Sequence, residues 1–393
     1  MLPCHPWLFG LNELNVLVSD ASYKHTLGIV RSLGQKGIRV TLIGSSSCDL
    51  ALYSRYCTQA EMAPLPDQDP IGFSSRVLQL VSERHFDLVL PVSYAATLAM
   101  AVQEPDLRRF SRVELVDDER VRFAASKQRI QELASTLKIP VPAAYYPATL
   151  DDVERYQPES GYPVVVKATC ESPGVTVRYA HHAEQLVSIC RQWIESRPGG
   201  SLPMIQEFVP GYGCGFFALY QDGVCKRIFM HRRVRENPPS GGASCCAESF
   251  YDAKLKEYGL RLLDRLQWHG VAMVEFRYDT NHHDYRLLEI NPKFWGSLDL
   301  AIACGVDFPY YICQMAEGRQ IEYGEHYERG RRFHWPFSGE LQHCWSRPAS
   351  LPAVLADCLN PRVKSNIRLN DLGPNWREAQ AACLSLWRRI GEN

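Results

Sequence analysis

No run of about 18 apolar residues occurs anywhere in the sequence, so no segment of it reads as a membrane-spanning helix. The opening "MLPCHPWLFG" lacks a basic stretch followed by an apolar one, and a secretory signal is therefore not expected. There is no C-x-x-C pair among the 14 cysteines, and the only close pair is the adjacent Cys245 and Cys246. That irregular spacing argues against a zinc site or a disulfide framework, and the cysteines read as free thiols in a reducing cytosol. Net charge is almost absent, at −1, which gives the chain as a whole no electrostatic reason to bind nucleic acid or an anionic membrane. A polyanion could bind only in a local basic pocket. No G-x-S-x-G elbow marks a nucleophile. The turn after the first apolar run is "SDASYKHT" rather than G-x-G-x-x-G, so a nicotinamide dinucleotide in the usual crevice is not expected. Internal repeats and low-complexity stretches are also missing.

What remains is ample for several cores. At 393 residues, about two to four domains are expected. Hydrophobic residues make up 46% and charged ones 22%, the balance of a soluble globular enzyme. Residues 15–115 alternate strand and helix: "NVLVSD" (15–20), "IRVTLIG" (38–44) and "FDLVLPVS" (86–93) read as strands. Helical spacing marks 22–37 and the stretch after Ser93. This rhythm implies a parallel sheet covered by helices. From Asp117 to Ile139 one long amphipathic helix or two short ones are expected. "GYPVVVKAT" (161–169) is an apolar strand ending in a lysine. Residues 201–234 read as a strand, a Gly-rich turn at "GYGCG" and a hairpin around "QDG". Residues 270–294 form a long hairpin turning at "TNHHD". Beyond about residue 325 the periodicity is weak, and no role is read for 326–393.

The chemistry gathers in that last hairpin. Side chains alternate along a strand, so Glu289 and Asn291 of "LLEINPKFWG" share a face, and a turn centred near 281–282 brings Glu275 roughly opposite Glu289. Two carboxylates and an amide oxygen on one patch repel unless a cation lies between them. Hard oxygen ligands of this kind suit Mg²⁺, which completes its shell with water and phosphate oxygens. Phosphate in turn needs positive charge. Lys167 ends an apolar strand, where a buried ammonium needs an anionic partner. "CESPGVTV" beyond it can fold over a phosphate and offer backbone N–H groups. Lys127 lies in the preceding "AASKQR", and "IQEFVPG" (205–211) is a strand whose end can meet an adenine edge.

The order of these pieces resembles the ATP-grasp superfamily, and more narrowly its carboxylate–amine ligase branch, over about residues 15–318. Its most specific part is "MVEF" followed by "LLEINPKFWGSLDLAIACGVDFP". The resemblance implies an α/β and α+β multidomain chain. A Rossmann-like pre-ATP-grasp domain (12–116) would precede a two-lobed ATP-grasp module (117–325, with lobe A about 117–204 and lobe B about 205–325). Residues 326–393 would be a C-terminal extension. It also implies roles. Lys127 and Lys167 would hold the α- and β-phosphates of ATP. Ser172 and Gly174 would lie in the loop closing over them. Gln206, Glu207 and Val209 would border the adenine. Glu275, Glu289 and Asn291 would hold one or two Mg²⁺ ions, for which Mn²⁺ could substitute.

Lys293 stands where that family usually has arginine. It would face the transferred phosphoryl, and Arg232 or Arg233 the acylphosphate. Gly242 and Ser244 would touch the carboxylate substrate. The turn "GYGCG" holds no acid for the ribose hydroxyls, and the phosphate loop has a single glycine. The implied reaction is formation of an acylphosphate and ADP, then attack by an amine to give an amide. The expected substrates are small acids and amines such as amino acids or peptides, with no nucleic acid or membrane involved and a homodimer as one assembly open to it. A phosphotransferase or bicarbonate-using carboxylase on the same fold is the alternative enzyme, and a nucleotide-binding regulator without turnover is the alternative of another class.

Overall fold

The computed structural model describes residues 14–170, 177–197 and 200–391. The chain divides into two units. The first comprises Met1–Val121, Phe216–Met273 and Asn291–Asn393, and the second Arg122–Gly215 and Val274–Ile290.

In the first unit, β1 (Asn15–Val18), β2 (Arg39–Gly44), β3 (Cys57–Met62) and β4 (Leu88–Leu90) form a sheet in the order β3-β2-β1-β4, every neighbour parallel. Its central strands are apolar without interruption because both faces are covered. Val16 and Val18 enter one core with Leu27, Val30 and Leu33 of helix α1 (Lys24–Gln35), while Leu17 enters another with Phe73, Val77 and Met100. Side-chain caps fix the helix starts on the far side: Asp69 accepts from Gly72 N before Pro70–Glu83, and Ser93 accepts from Ala96 N before Tyr94–Val102.

In the second unit, β5 (Ala144–Tyr145), β6 (Val164–Lys167), β7 (Arg178–Ala180) and β8 (Met204–Glu207) form an antiparallel sheet in the order β5-β8-β6-β7. Val164, Val166 and Ile205 pack on Leu186, Ile189 and Cys190 of the helix Ala183–Glu195. The stretch 117–139 is two helices, Asp118–Ala125 and Lys127–Thr136. They are divided at Ser126, whose side chain caps the second.

The remaining strands are β9 (Gly211–Gln221), β10 (Val224–Asn237), β11 (Ala243–Ser249), β12 (Gly270–Asp279), β13 (Asp284–Asn291), β14 (Arg332–His334) and β15 (Lys364–Ser365). They form one sheet in the order β13-β12-β9-β10-β11-β14-β15, and the unit boundary passes along β9, β12 and β13. The hairpins turn at Asp222–Gly223 and at 280–283, as expected. One expectation fails. "GYGCG" is not a turn but the start of β9. Gly211 has φ +129, and a Cβ there would lie 1.9 Å from the Tyr278 carbonyl oxygen, so glycine serves close strand approach here rather than chain reversal.

The segment beyond 325 is ordered by polar anchors. Arg235 pairs with Glu340 at 2.6 Å and with Asp357 at 2.5 Å, His334 with Glu340 at 2.6 Å, and Arg31 of α1 with Asp371 at 2.7 Å, all of them buried. No helix among the described residues is long and apolar enough to cross a membrane.

Candidate functional site

Within the second unit two of the expected phosphate groups and two of the expected metal ligands converge. Lys127 opens the helix Lys127–Thr136, and its backbone N–H donates to the Thr169 carbonyl at 3.0 Å, just beyond the end of β6. That contact brings it beside Lys167, the last residue of β6. Both lysines are buried, although neither lies in an apolar core cluster. The Lys127 ammonium lies 3.0 Å from Glu289 Oε2. Burial pushes the Lys167 pKa down to about 8. The carboxylates of Glu289 and Glu275 oppose that shift, and Lys127 adds to it. Two ammonium groups and two carboxylates therefore act on one another inside a single unit, on residues drawn from β6, β12, β13 and the helix after Ser126.

The expected adenine strand is β8. Gln206 is 2% exposed, and its buried Nε2 has no hydrogen-bond partner among the described residues. A buried amide donor left unmade costs about 1–3 kcal/mol, so such an atom is a candidate to meet a ligand. The Glu207 carboxylate accepts from Ala143 N at 3.1 Å. Val209 is buried, and its carbonyl accepts from Arg277 Nε at 2.5 Å. Ser172 and Gly174 lie outside the described residues.

In the first unit, Asn291 ends β13 two residues after Glu289 and is buried. Lys293 follows and lines a narrow cleft with Leu90, Glu114, Trp268 and His269, where Glu114 and His269 meet at 2.7 Å. Arg232 and Arg233 are neighbours on β10 and so take opposite faces. Arg232 is exposed and pairs with Glu248 at 2.5 Å, away from the loop expected to touch substrate. Arg233 donates to that loop, at the Gly242 carbonyl (3.2 Å), and to Glu236 at 3.1 Å. The Ser244 hydroxyl donates to the Cys246 carbonyl, and the Ser244 carbonyl accepts from Lys24 Nζ at 2.9 Å. Lys24 and its neighbour His25 were not singled out from the sequence. Their only signal was a Lys-His pair directly after the first strand, which reads as an ordinary helix start until the contact with Ser244 is seen.

The donor set suits Mg²⁺. In the second unit Glu275 and Glu289 offer hard oxygens only, and among the described residues no three His, Cys, Asp or Glu side chains form a cage for a softer or self-sufficient metal site.

A family model described as "ATP-grasp in the biosynthetic pathway with Ter operon" matches residues 205–335. Several solved structures share the fold. The biotin carboxylase-beta-gamma-ATP complex from Campylobacter jejuni superposes with a TM-score of 0.66 at 14% identity, over 81% of this chain and 74% of that one. The biotin carboxylase domain dimer of Hydrogenobacter thermophilus 2-oxoglutarate carboxylase, complexed with magnesium ADP and bicarbonate, gives 0.63 at 14% identity, over 81% and 72%. The L-amino acid ligase from Bacillus licheniformis gives 0.60 at 16% identity, over 77% and 74%. The chain therefore has the ATP-grasp fold, with a Rossmann-like parallel sheet ahead of the antiparallel ones.

Proposed function

We propose that this protein is an ATP-dependent enzyme that activates a small carboxylic acid as its acylphosphate and couples it to an amine, releasing ADP and phosphate. In this reading, residues 12–116 form the preceding domain, 117–325 the catalytic module and 326–393 an extension, and the protein acts in the cytosol. Lys127 and Lys167 hold the nucleotide phosphates, Gln206, Glu207 and Val209 border the base, and Glu275, Glu289 and Asn291 hold Mg²⁺. When bound, Mg²⁺ neutralises charge on the phosphates. Lys293 and Arg233 stabilise the transferred group. Arg233 is preferred to Arg232 because it reaches the Gly242–Ser244 loop.

One observation carries the proposal: the ion pair of buried Lys127 with half-buried Glu289 beside Lys167, which answers to both Glu289 and Glu275. Ammonium groups crowded against carboxylates in this way suit a site that exchanges the ion pair for phosphate and a cation. The protein's tasks are then positioning and electrostatic stabilisation of a loose phosphoryl transfer, with no protein nucleophile. The substrate carboxylate oxygen bonds to the γ-phosphorus as the bond to the ADP oxygen breaks. The amine nitrogen then bonds to the acyl carbon, phosphate leaves, and the amine proton goes to solvent or base.

A second reading, a bicarbonate-using carboxylase, draws support from the likeness to biotin carboxylases. Incubating the full chain with Mg·ATP and pairs of amino acids, and following ADP, separates the two. ADP release that requires both an acid and an amine is the expected result. ADP release dependent on bicarbonate favours the carboxylase. AMP as product would end both readings. Mg·ATP raising the melting temperature with no turnover under any mixture would leave the protein a regulator.

A further inference from the structure

The parallel sheet has the order β3-β2-β1-β4, so the chain runs outward from β1 through β3 and then returns to the other side of β1. The carboxyl ends of β1 and β4 are thus a topological switch point, where open α/β sheets leave a crevice for ligands. The two loops there are tied together. Val92 N donates to Ser19 Oγ at 3.0 Å and Ser93 N to Asp20 Oδ2 at 3.0 Å, with Asp20 itself at φ 60. This brace fixes the turn that delivers Lys24 and His25 at the head of α1.

Neither side chain is satisfied as a structural group would be. Lys24 Nζ lies over the Trp335 ring at 4.4 Å and donates only to the Ser244 carbonyl, with no carboxylate in ion-pair range among the described residues. Burial pushes its pKa down to about 8, opposed by the carboxylates of Asp299 and Glu378. His25 is 9% exposed, and its buried Nδ1 has no hydrogen-bond partner among the described residues. Burial, and then the charges of Lys293 and Lys24, push its pKa down to about 3, so the ring is neutral. The first turn of α1 carries no acid, and the N-cap side chain does not cap the helix. Two positive charges and an unpartnered imidazole thus meet at one corner, with the Ser244 backbone alongside.

We propose that this corner is the subsite for the carboxylate of the small acid substrate, with Lys24 as its charge partner and His25 as its hydrogen-bond partner. The proposal rests on the ligase reading above but concerns the acid, not the nucleotide. A carboxylate bound here gives the half-buried ammonium its missing counter-ion and the imidazole its missing bond, and both gains are lost when the site is empty.

The test uses the full chain and needs no turnover. The wild type is melted with Mg·ATP alone, then with Mg·ATP plus each of the twenty proteinogenic amino acids or bicarbonate. An acid that adds to the Mg·ATP shift becomes the probe. Lys24→Met is expected to lose that added shift and weaken the probe's affinity at least about tenfold, the loss of one charged hydrogen bond. It should keep the Mg·ATP shift unchanged, and Lys24→Arg should regain part of the loss. His25→Asn should weaken the same acid while leaving Mg·ATP alone. If no acid adds to the wild-type shift, or Lys24→Met keeps it, the inference is overturned. If the wild type shows no Mg·ATP shift at all, the nucleotide reading fails instead. Equal melting temperatures for the ligand-free variants show that the substitutions spare the fold.

Discussion

At the scale of single residues, Glu289 has two partners to choose between. Its carboxylate meets Lys127 at 3.0 Å and acts on Lys167, and in the proposed reaction it also faces a metal ion. Glu289→Gln keeps the volume and removes the charge. ADP release is expected to fall by about 100-fold or more, as when an electrostatic stabiliser of a transition state is removed, with the urea midpoint nearly unchanged. Turnover within a few-fold of wild type would remove Glu289 from the mechanism. A second residue reports on acid sensitivity. His231 is buried beside Phe217, its Nε2 lies 2.6 Å from Ser297 Oγ, and burial and then Arg233 push its pKa down to about 3. Between about 6.5 and 3 the unfolded chain binds a proton that the folded one refuses. Stability from this group is therefore full above 6.5 and is lost as pH falls, at about 1.4 kcal/mol per pH unit within that window. Urea melts at pH 7.5 and 4.5 should show a smaller loss for His231→Gln than for wild type; equal losses would clear His231 of that role. Strand alternation and one hairpin turn put Glu275 and Glu289 on one patch, whereas their approach to Lys127 and Lys167 comes from packing that no spacing shows. Lys24 and His25 were not legible, because their meaning lies in a contact with Ser244, 220 residues away.

Among elements, those with apolar runs or helical spacing were read well: β1, β2, β4, β6, α1 and the hairpin β12–β13. Others escaped. "CTQAEM" forms edge strand β3 although most of its side chains are exposed. Its strand state comes from backbone pairing with β2, which leaves no alternation to detect. The opposite error occurred at "GYGCG", where glycines that allow close packing resemble those that reverse a chain. Gly211→Ala tests the distinction. A methyl group there meets the Tyr278 carbonyl oxygen and forces a φ that alanine resists. The variant should lose about 2–4 kcal/mol in urea unfolding. A loss below about 0.5 kcal/mol, the size of an ordinary loop substitution, would argue that β9 starts later.

On the scale of the whole molecule, the C-terminal stretch was illegible because charges, not apolar periodicity, hold it in place. Arg31 in α1 is 5% exposed and donates to Asp371, to the Asn366 carbonyl (2.6 Å) and to Asn375 Oδ1 (3.2 Å). Removing one member of a buried pair leaves the other charge stranded, which typically costs about 3–5 kcal/mol. Arg31→Met should therefore destabilise strongly, and the double variant with Asp371→Leu should recover part of the loss, a coupling measurable by a double-mutant cycle. Additive losses would mean that the pair contributes nothing.

The same arrangement bears on synthesis. The second unit ends at Ile290, so a ribosome has delivered all of it while the first unit still lacks everything from Asn291 onward. The portion of the protein that emerges earliest must wait for the portion that emerges last. Until Asp371 leaves the exit tunnel, Arg31 lacks its ion-pair partner, and a nascent chain stalled before that point would hold one finished unit and one unfinished.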